Sequence, residues 1–120
     1  MTVAYWVVAG LLAVFFLYSG VLKVSRTKEQ LAPMMGWVDT VPMPVVRLIG
    51  TVEILGAIGL ILPPLTGIAP GLAIAAAVGF VILQVLAAAL HLSRGESTQS
   101  IMNLVLIAVA AVAAWLATSL

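Results

Sequence analysis

RLIGTVEILGAIGLILPP, residues 47–64, reads as a membrane-spanning helix with an acid, Glu53, about halfway along it. An ionised carboxylate near a bilayer centre costs roughly 2.5–3.5 kcal/mol on insertion scales, so such a residue has a partner or a task. Gly50, Gly56 and Gly59 flank it at steps of three and six. That spacing predicts a smooth face suited to close contact with a neighbouring helix. Pro63 and Pro64 are expected to stop the helix, giving a span over residues 45–62.

Composition places the rest of the chain in the same environment. Of 120 residues, 64% are hydrophobic and nine are charged, five basic and four acidic; the mean hydropathy is +1.29. So few charges cannot clothe a water-soluble domain of this size. The length accommodates about four spans of ~20 residues with short connections, so residues 1–120 are read as one integral-membrane domain. There is no room left for a nucleotide-binding or nucleic-acid-binding module, and a net charge of +1 implies no polyanionic partner. Cysteine is absent, which excludes disulfide exchange and thiolate metal sites within the chain. A single histidine argues against a multi-histidine metal centre or a paired haem ligation. No metal is expected.

The first apolar run, residues 3–24, lacks a basic leader, exceeds the length of a signal-peptide core and is followed by Lys23, Arg26 and Lys28. It is read as the first span, with Tyr5 and Trp6 as interfacial aromatics. Residues 25–44 form the long connection. Thr27-x-x-Gln30 is a capping-box pattern and predicts a short helix broken near Pro33. Met34, Met35, Trp37 and Val38 are too apolar for a solvated loop; the segment reads as an amphipathic interfacial helix or as a lid over a pocket. Pro44 suits the first turn of the second span. The uncharged link PPLTG makes spans two and three a hairpin. Span three covers residues 68–92, with Gly67, Gly71, Ala75 and Gly79 as a helix-contact ladder. Ser97 or Thr98 can cap the fourth span, residues 99–117. The fold expected is an all-α bundle of four transmembrane helices, with a short interfacial helix between the first two.

Basic residues set the expected orientation. Lys23, Arg26, Lys28 and Arg47 flank the first connection and Arg94 lies in the third. The positive-inside rule puts those connections in the cytoplasm and both termini outside, for a multi-pass protein of the plasma (inner) membrane. Depths then become comparable. Glu53 and Gln84 each lie about eight residues from the cytoplasmic ends of their spans, ~13 Å deep at 1.5 Å per residue. Asn103 and Ser19 are shallower, with Tyr18 beside Ser19, and Lys23, Arg47 and His91 lie nearer the surface. All four spans thus place polar groups in one half of the bilayer, which points to a pocket with Glu53 as its floor. Lys23 is the expected ion-pair partner of Glu53. Arg47 is the alternative, or it snorkels to lipid phosphate. Interfacial anchoring for Lys23, Arg47 and His91, and plain interhelical bonding for Gln84 and Asn103, are the structural readings of the same residues.

YSGVLKV (residues 18–24), LIGTVEILGAIGLILP (residues 48–63) and AALHLSRGE (residues 88–96) together resemble the DoxX-like family of small four-helix membrane proteins. The joint pattern is Gly20 and Lys23 in span one, Gly50, Glu53 and Gly56 in span two, and His91 at the end of span three. The resemblance implies a four-helix bundle. Its relatives include membrane subunits of thiosulfate:quinone oxidoreductase and terminal-oxidase complexes, accessory proteins of redox-stress complexes and chaperones of receptor assembly. Four-helix quinone reductases of the vitamin K epoxide type use paired cysteines, which this chain lacks. The expectation is an accessory subunit or small-ligand-binding protein, not a stand-alone enzyme, that holds a quinone or lipid without a covalent cofactor. The candidate pocket residues are Tyr18, Ser19, Lys23, Arg47, Glu53, Gln84, His91 and Asn103. Its partners would be the bilayer, a membrane or redox protein complex, and a second copy of the chain. The alternatives are a membrane subunit of a quinone-linked oxidoreductase, with Glu53 or His91 relaying protons, and a small proton-coupled transporter.

Overall fold

Buried positions recur at steps of four and three along the first three long helices, and this register assembles the bundle. On the second span they are Val46, Gly50, Glu53, Ala57 and Leu60; on the third, Ala73, Ala77, Phe80, Gln84, Ala88 and His91. On the first, Tyr5, Ala9, Leu12, Phe16, Gly20 and Lys23 keep the same rhythm. Stripes at the helical repeat of about 3.6 residues keep one face of each helix turned inward along its length. The computed structural model describes residues 2–120. Its long helices are α1 (Thr2–Ser25), α3 (Met43–Thr66), α4 (Leu72–Ser93) and α5 (Ser97–Ala117), with a one-turn α2 (Lys28–Leu31) and a 3-10 turn (Gly36–Asp39) between the first two. No strand occurs among the described residues. The four long helices are each long and apolar enough to cross a membrane. The chain is therefore an all-helical, multi-pass membrane protein whose helices face a lipid bilayer.

The bundle has an apolar end and a polar end. At the apolar end a core joins Tyr5, Ala9, Leu12 and Phe16 of α1 to Leu60 of α3, Phe80 of α4 and Ala110, Ala113 and Leu116 of α5. Phe16 and Phe80 stack with centroids 4.0 Å apart. Lipid is as apolar as these side chains, so close van der Waals fit must supply the cohesion that water exclusion supplies elsewhere. Glycine makes that fit possible. A Cβ on Gly50 would come within 2.6 Å of Lys23 Cβ and 2.8 Å of the Gly20 carbonyl oxygen, and one on Gly56 within 2.5 Å of Phe80. The glycines of α3 therefore serve two neighbours, not one smooth face. Steps of three lag the helix repeat and drift around the axis, from α1 at Gly50 to α4 at Gly56 and Gly59.

Several expectations are corrected here. Helix α3 does not stop at Pro63-Pro64; it runs to Thr66 and ends on Gly67, whose φ of 75° makes a left-handed C-cap. Pro64 has no N–H for the Leu60 carbonyl, the acceptor four residues back. The Tyr5 hydroxyl donates to that carbonyl instead, at 2.6 Å. Such side-chain rescue of a freed carbonyl is what lets proline persist in membrane helices. Tyr5 is accordingly a fully buried core residue and not an interfacial anchor. Span three begins at Leu72, because residues 67–71 form the turn. The ladder of Gly67, Gly71, Ala75 and Gly79 makes no helix contact: an added Cβ would meet nothing within 4 Å at any of its glycines, and Ala75 is exposed. Span four begins at Ser97, with Glu96 as N-cap and no side-chain cap from Ser97 or Thr98.

Candidate functional site

At the polar end the helices and the first connection enclose a cavity of about 440 Å³. Its floor is built by the close approach of α1 and α3. Because Gly20 and Gly50 carry no side chains, the two backbones meet one turn from Lys23 and Glu53. Lys23 Nζ then lies 2.6 Å from Glu53 Oε1, with both side chains nearly sealed from the exterior. Ser19, one turn before Lys23, accepts from Nζ at 3.1 Å and donates to Glu53 Oε2 at 3.3 Å. Two opposite charges and a hydroxyl thus form a neutral cluster, the form in which charge is least costly inside a membrane. The Trp37 ring lies 5.5 Å from Nζ and presents its negative face to the ammonium.

The opposite wall comes from α4 and α5. Asn103 Nδ2 donates to Gln84 Oε1 at 2.6 Å. Both residues lie on the inward stripes of their helices and both are buried. Asn103 Oδ1 is buried without a hydrogen-bond partner among the described residues. At the mouth, His91 Nδ1 pairs with Glu96 Oε1 at 2.9 Å, and Arg94 Nε reaches the same oxygen at 2.9 Å. Glu96 lies outside the spans; the hydrogen bond with His91, and the hydrogen bond and charge of Arg94, hold its carboxyl below the usual carboxylate range. The left-handed Gly95, φ 73°, makes the tight turn that folds Glu96 back over His91. Arg94 Nη1 also donates to Thr40 Oγ1 at 3.0 Å, which ties this turn to the first connection.

That connection closes the polar end. Thr27 and Gln30 form the capping box in both directions, as their spacing predicts. Leu31, Trp37 and Val38 are buried against Leu22 and Val46, and Met34, Met35, Gly36 and Trp37 line the cavity. The segment thus packs on the bundle and forms part of the cavity wall.

Six of the eight candidate residues meet at this cavity: Ser19, Lys23, Glu53, Gln84, His91 and Asn103. Two do not. Tyr18 points away from the bundle and is 68% exposed; it falls between Phe16 and Gly20, off the inward stripe of α1. Arg47 neither reaches Glu53 nor extends outward. Its Nη1 donates to the carbonyls of Lys23, at 2.6 Å, and Arg26, at 2.5 Å. A guanidinium there satisfies carbonyls left open at the end of α1 and complements the helix dipole. Lys23 and His91 are buried within the bundle. Sequence reasoning missed Glu96 and Gln99 as lining residues, together with the apolar walls Phe15, Leu86, Met102 and Leu106. For Glu96 a signal existed, an acid five residues after the histidine across a glycine turn.

The chemistry available is hydrogen bonding and proton handling among apolar walls. Among the described residues no cluster of three or more His, Asp or Glu could hold a metal ion. No curated protein and no solved structure matches the chain significantly. A family model does match, over residues 7–113. That span takes in every polar side chain of the cavity floor and walls, and it shows that the chain belongs to the DoxX-like family.

Proposed function

We propose that this DoxX-like membrane protein binds a small amphipathic ligand, a quinone or a lipid, in its polar-end cavity, and that it serves as an accessory subunit and not as a stand-alone enzyme. The observation that carries the reading is the convergence of polar side chains from all four long helices on one cavity with largely apolar walls. Pockets of a few hundred Å³ with apolar linings and a few placed polar groups are the usual form of small-molecule sites. In this reading Glu53 and Lys23 make a charge-balanced floor, and Gln84, Asn103 and His91 orient the ligand. The cavity faces the cytoplasm, with the first and third connections on that side, and a membrane or redox partner docks there. The hydrogen bond between His91 and Glu96 favours a second reading, a membrane subunit of a quinone-linked oxidoreductase. His91 would then pass protons while a partner's cofactor carries electrons.

Native mass spectrometry of the protein, extracted gently from its own membrane and followed by lipid and quinone analysis, tests the proposal. A stoichiometric quinone or single lipid species is expected, and it should be lost in Glu53→Gln while helicity persists. A chain that arrives bare but bound to another protein would leave an assembly role and remove the ligand.

A further inference from the structure

The hydrogen bonds at the cavity specify which functional group the ligand carries. Every charged side chain lining it already has a partner of opposite charge or a hydrogen bond to one: Lys23 with Glu53, and His91 with Glu96. Nothing there asks for an ionic ligand. The unmet demand is neutral. Asn103 is 7% exposed, lines the cavity and has its Oδ1 without a partner. Gln84, 5% exposed, brings only Oε1 to the bond between the two amides. Its own NH2 group has no protein partner among the described residues. The pair therefore offers one open acceptor, Asn103 Oδ1, and one open donor, the Gln84 amide NH2, on the same wall of the cavity. Exchanging the oxygen and nitrogen assignments of both amides leaves one of each again.

A single hydroxyl answers both, since it donates one hydrogen and accepts on its lone pairs. A carbonyl, an ether or an ester oxygen can only accept. We propose that the cavity selects a neutral, membrane-dissolved ligand that carries a hydroxyl group, seated against the hydrogen-bonded pair of Gln84 and Asn103. The proposal rests on the ligand-binding reading above and specifies its chemistry. Access from the lipid phase fits the walls: Phe15, Leu86 and Met102 line the cavity and are also 41%, 64% and 53% exposed on the bundle surface. A lipophile can thus enter sideways between helices with its hydroxyl leading, without crossing the polar mouth held by Arg94 and Thr40.

The experiment uses the full-length protein in lipid nanodiscs, with Trp6→Phe and Trp115→Phe leaving Trp37 as the reporter in the cavity wall. The probes are 4-nonylphenol and its methyl ether 4-nonylanisole, with 4-nonylbenzoate as the charged control, and concentrations are expressed as mole fraction in the bilayer. Phenol should quench or shift Trp37 saturably and bind at least about tenfold more tightly than the ether, because the ether leaves a buried acceptor unpaired. Benzoate should bind no better than the ether. Asn103→Leu should bring phenol to within about twofold of the ether, and the comparison in the unaltered site stands even if that variant fails to fold. Equal saturable binding of phenol and ether overturns the hydroxyl requirement while leaving a ligand site. Preference for benzoate overturns the neutrality. Absence of saturable binding by any probe overturns the ligand-binding reading itself. Displacement of bound phenol by decylhydroquinone or by dioleoylglycerol supports the proposal in either case and tells a redox ring from a lipid alcohol.

Discussion

Replacing Glu53 with Gln should strand an ammonium inside the bundle. Lys23 Nζ is 2.6 Å from Glu53 Oε1, and the side chains are 10% and 2% exposed. The other neighbours of Nζ are neutral, Ser19 Oγ at 3.1 Å and the Trp37 ring at 5.5 Å. Removing one member of such a buried pair costs about 3–5 kcal/mol, because the remaining charge keeps its desolvation penalty and loses its compensation. Lys23→Met should cost a similar amount by stranding the carboxylate. The double variant Lys23→Met/Glu53→Leu removes both charges and fills the space with apolar atoms, so it should stay within about 1.5 kcal/mol of the starting protein. With Glu53→Leu as the second single variant, the cycle then yields a coupling of several kcal/mol, far beyond the roughly 0–1 kcal/mol of an exposed pair. Unfolding in mixed micelles by titration with sodium dodecyl sulfate, followed by far-ultraviolet circular dichroism, measures all four corners. Single costs that add within about 0.5 kcal/mol would refute the buried pair as the floor of the site.

Tyr5→Phe should destabilise by about 1–3 kcal/mol, the cost of leaving the Leu60 carbonyl unpaired; in a Pro64→Ala background, which restores an intrahelical N–H, the same change should cost visibly less, and equal costs would sink the rescue. Gly50→Ala forces a Cβ to within 2.6 Å of Lys23 Cβ; overpacking of about 1–3 kcal/mol is expected in the same unfolding assay, and a neutral outcome would contradict the close approach. Because the folded carboxyl of Glu96 sits below its usual range, the contribution of its bonds to stability is complete above the ordinary carboxylate pKa of about 4.3 and is lost as pH falls through the lowered folded value. Thermal unfolding should therefore show an acid-side loss of stability that Glu96→Gln lacks; identical pH profiles would remove the role of that turn. A cysteine placed at Thr2 or Leu120 should react with an impermeant maleimide added outside intact cells, and labelling only after permeabilisation would invert the proposed topology.

The spans were legible because hydropathy over 20 residues needs no knowledge of neighbours, and the polar clustering was legible because depth along a helix is countable. Register was legible too, had the inward stripe been drawn: Tyr18 lies two residues from both Phe16 and Gly20, which puts it on the outer face. The course of α3 through Pro63 and Pro64 was not legible. It depends on a hydroxyl 55 residues away in the chain, at Tyr5, and local rules hold no such partner. Arg47 was misread for a similar reason. Its partners are backbone carbonyls of another helix, which no spacing of charged side chains reveals. Ser97 and Thr98 satisfy the pattern of an N-cap, but Glu96 is drawn over His91 by Gly95, and the helix starts one step earlier.

In the proposed ligand-binding reading the two ends of the bundle divide the work between cohesion and recognition, and Asn103 is where they conflict. At the apolar end the carbonyl that Pro64 releases is met by the Tyr5 hydroxyl. At the polar end the ion pair, the hydroxyl of Ser19 and the His91–Glu96 contact are likewise met. Against that background a buried acceptor left open costs about 1–3 kcal/mol, a large share of the stability of a small domain. A leucine at position 103 has the same branched outline of side-chain heavy atoms and carries no such cost. Asparagine there destabilises the empty site and is repaid only when a donor arrives, so occupancy and stability are linked. At a ligand concentration of 100 times Kd the linkage adds about 2.7 kcal/mol. Asn103→Leu should therefore stabilise the empty protein while abolishing the stabilisation that a hydroxyl-bearing ligand confers. That crossing of two effects separates a binding residue from a packing residue at this position.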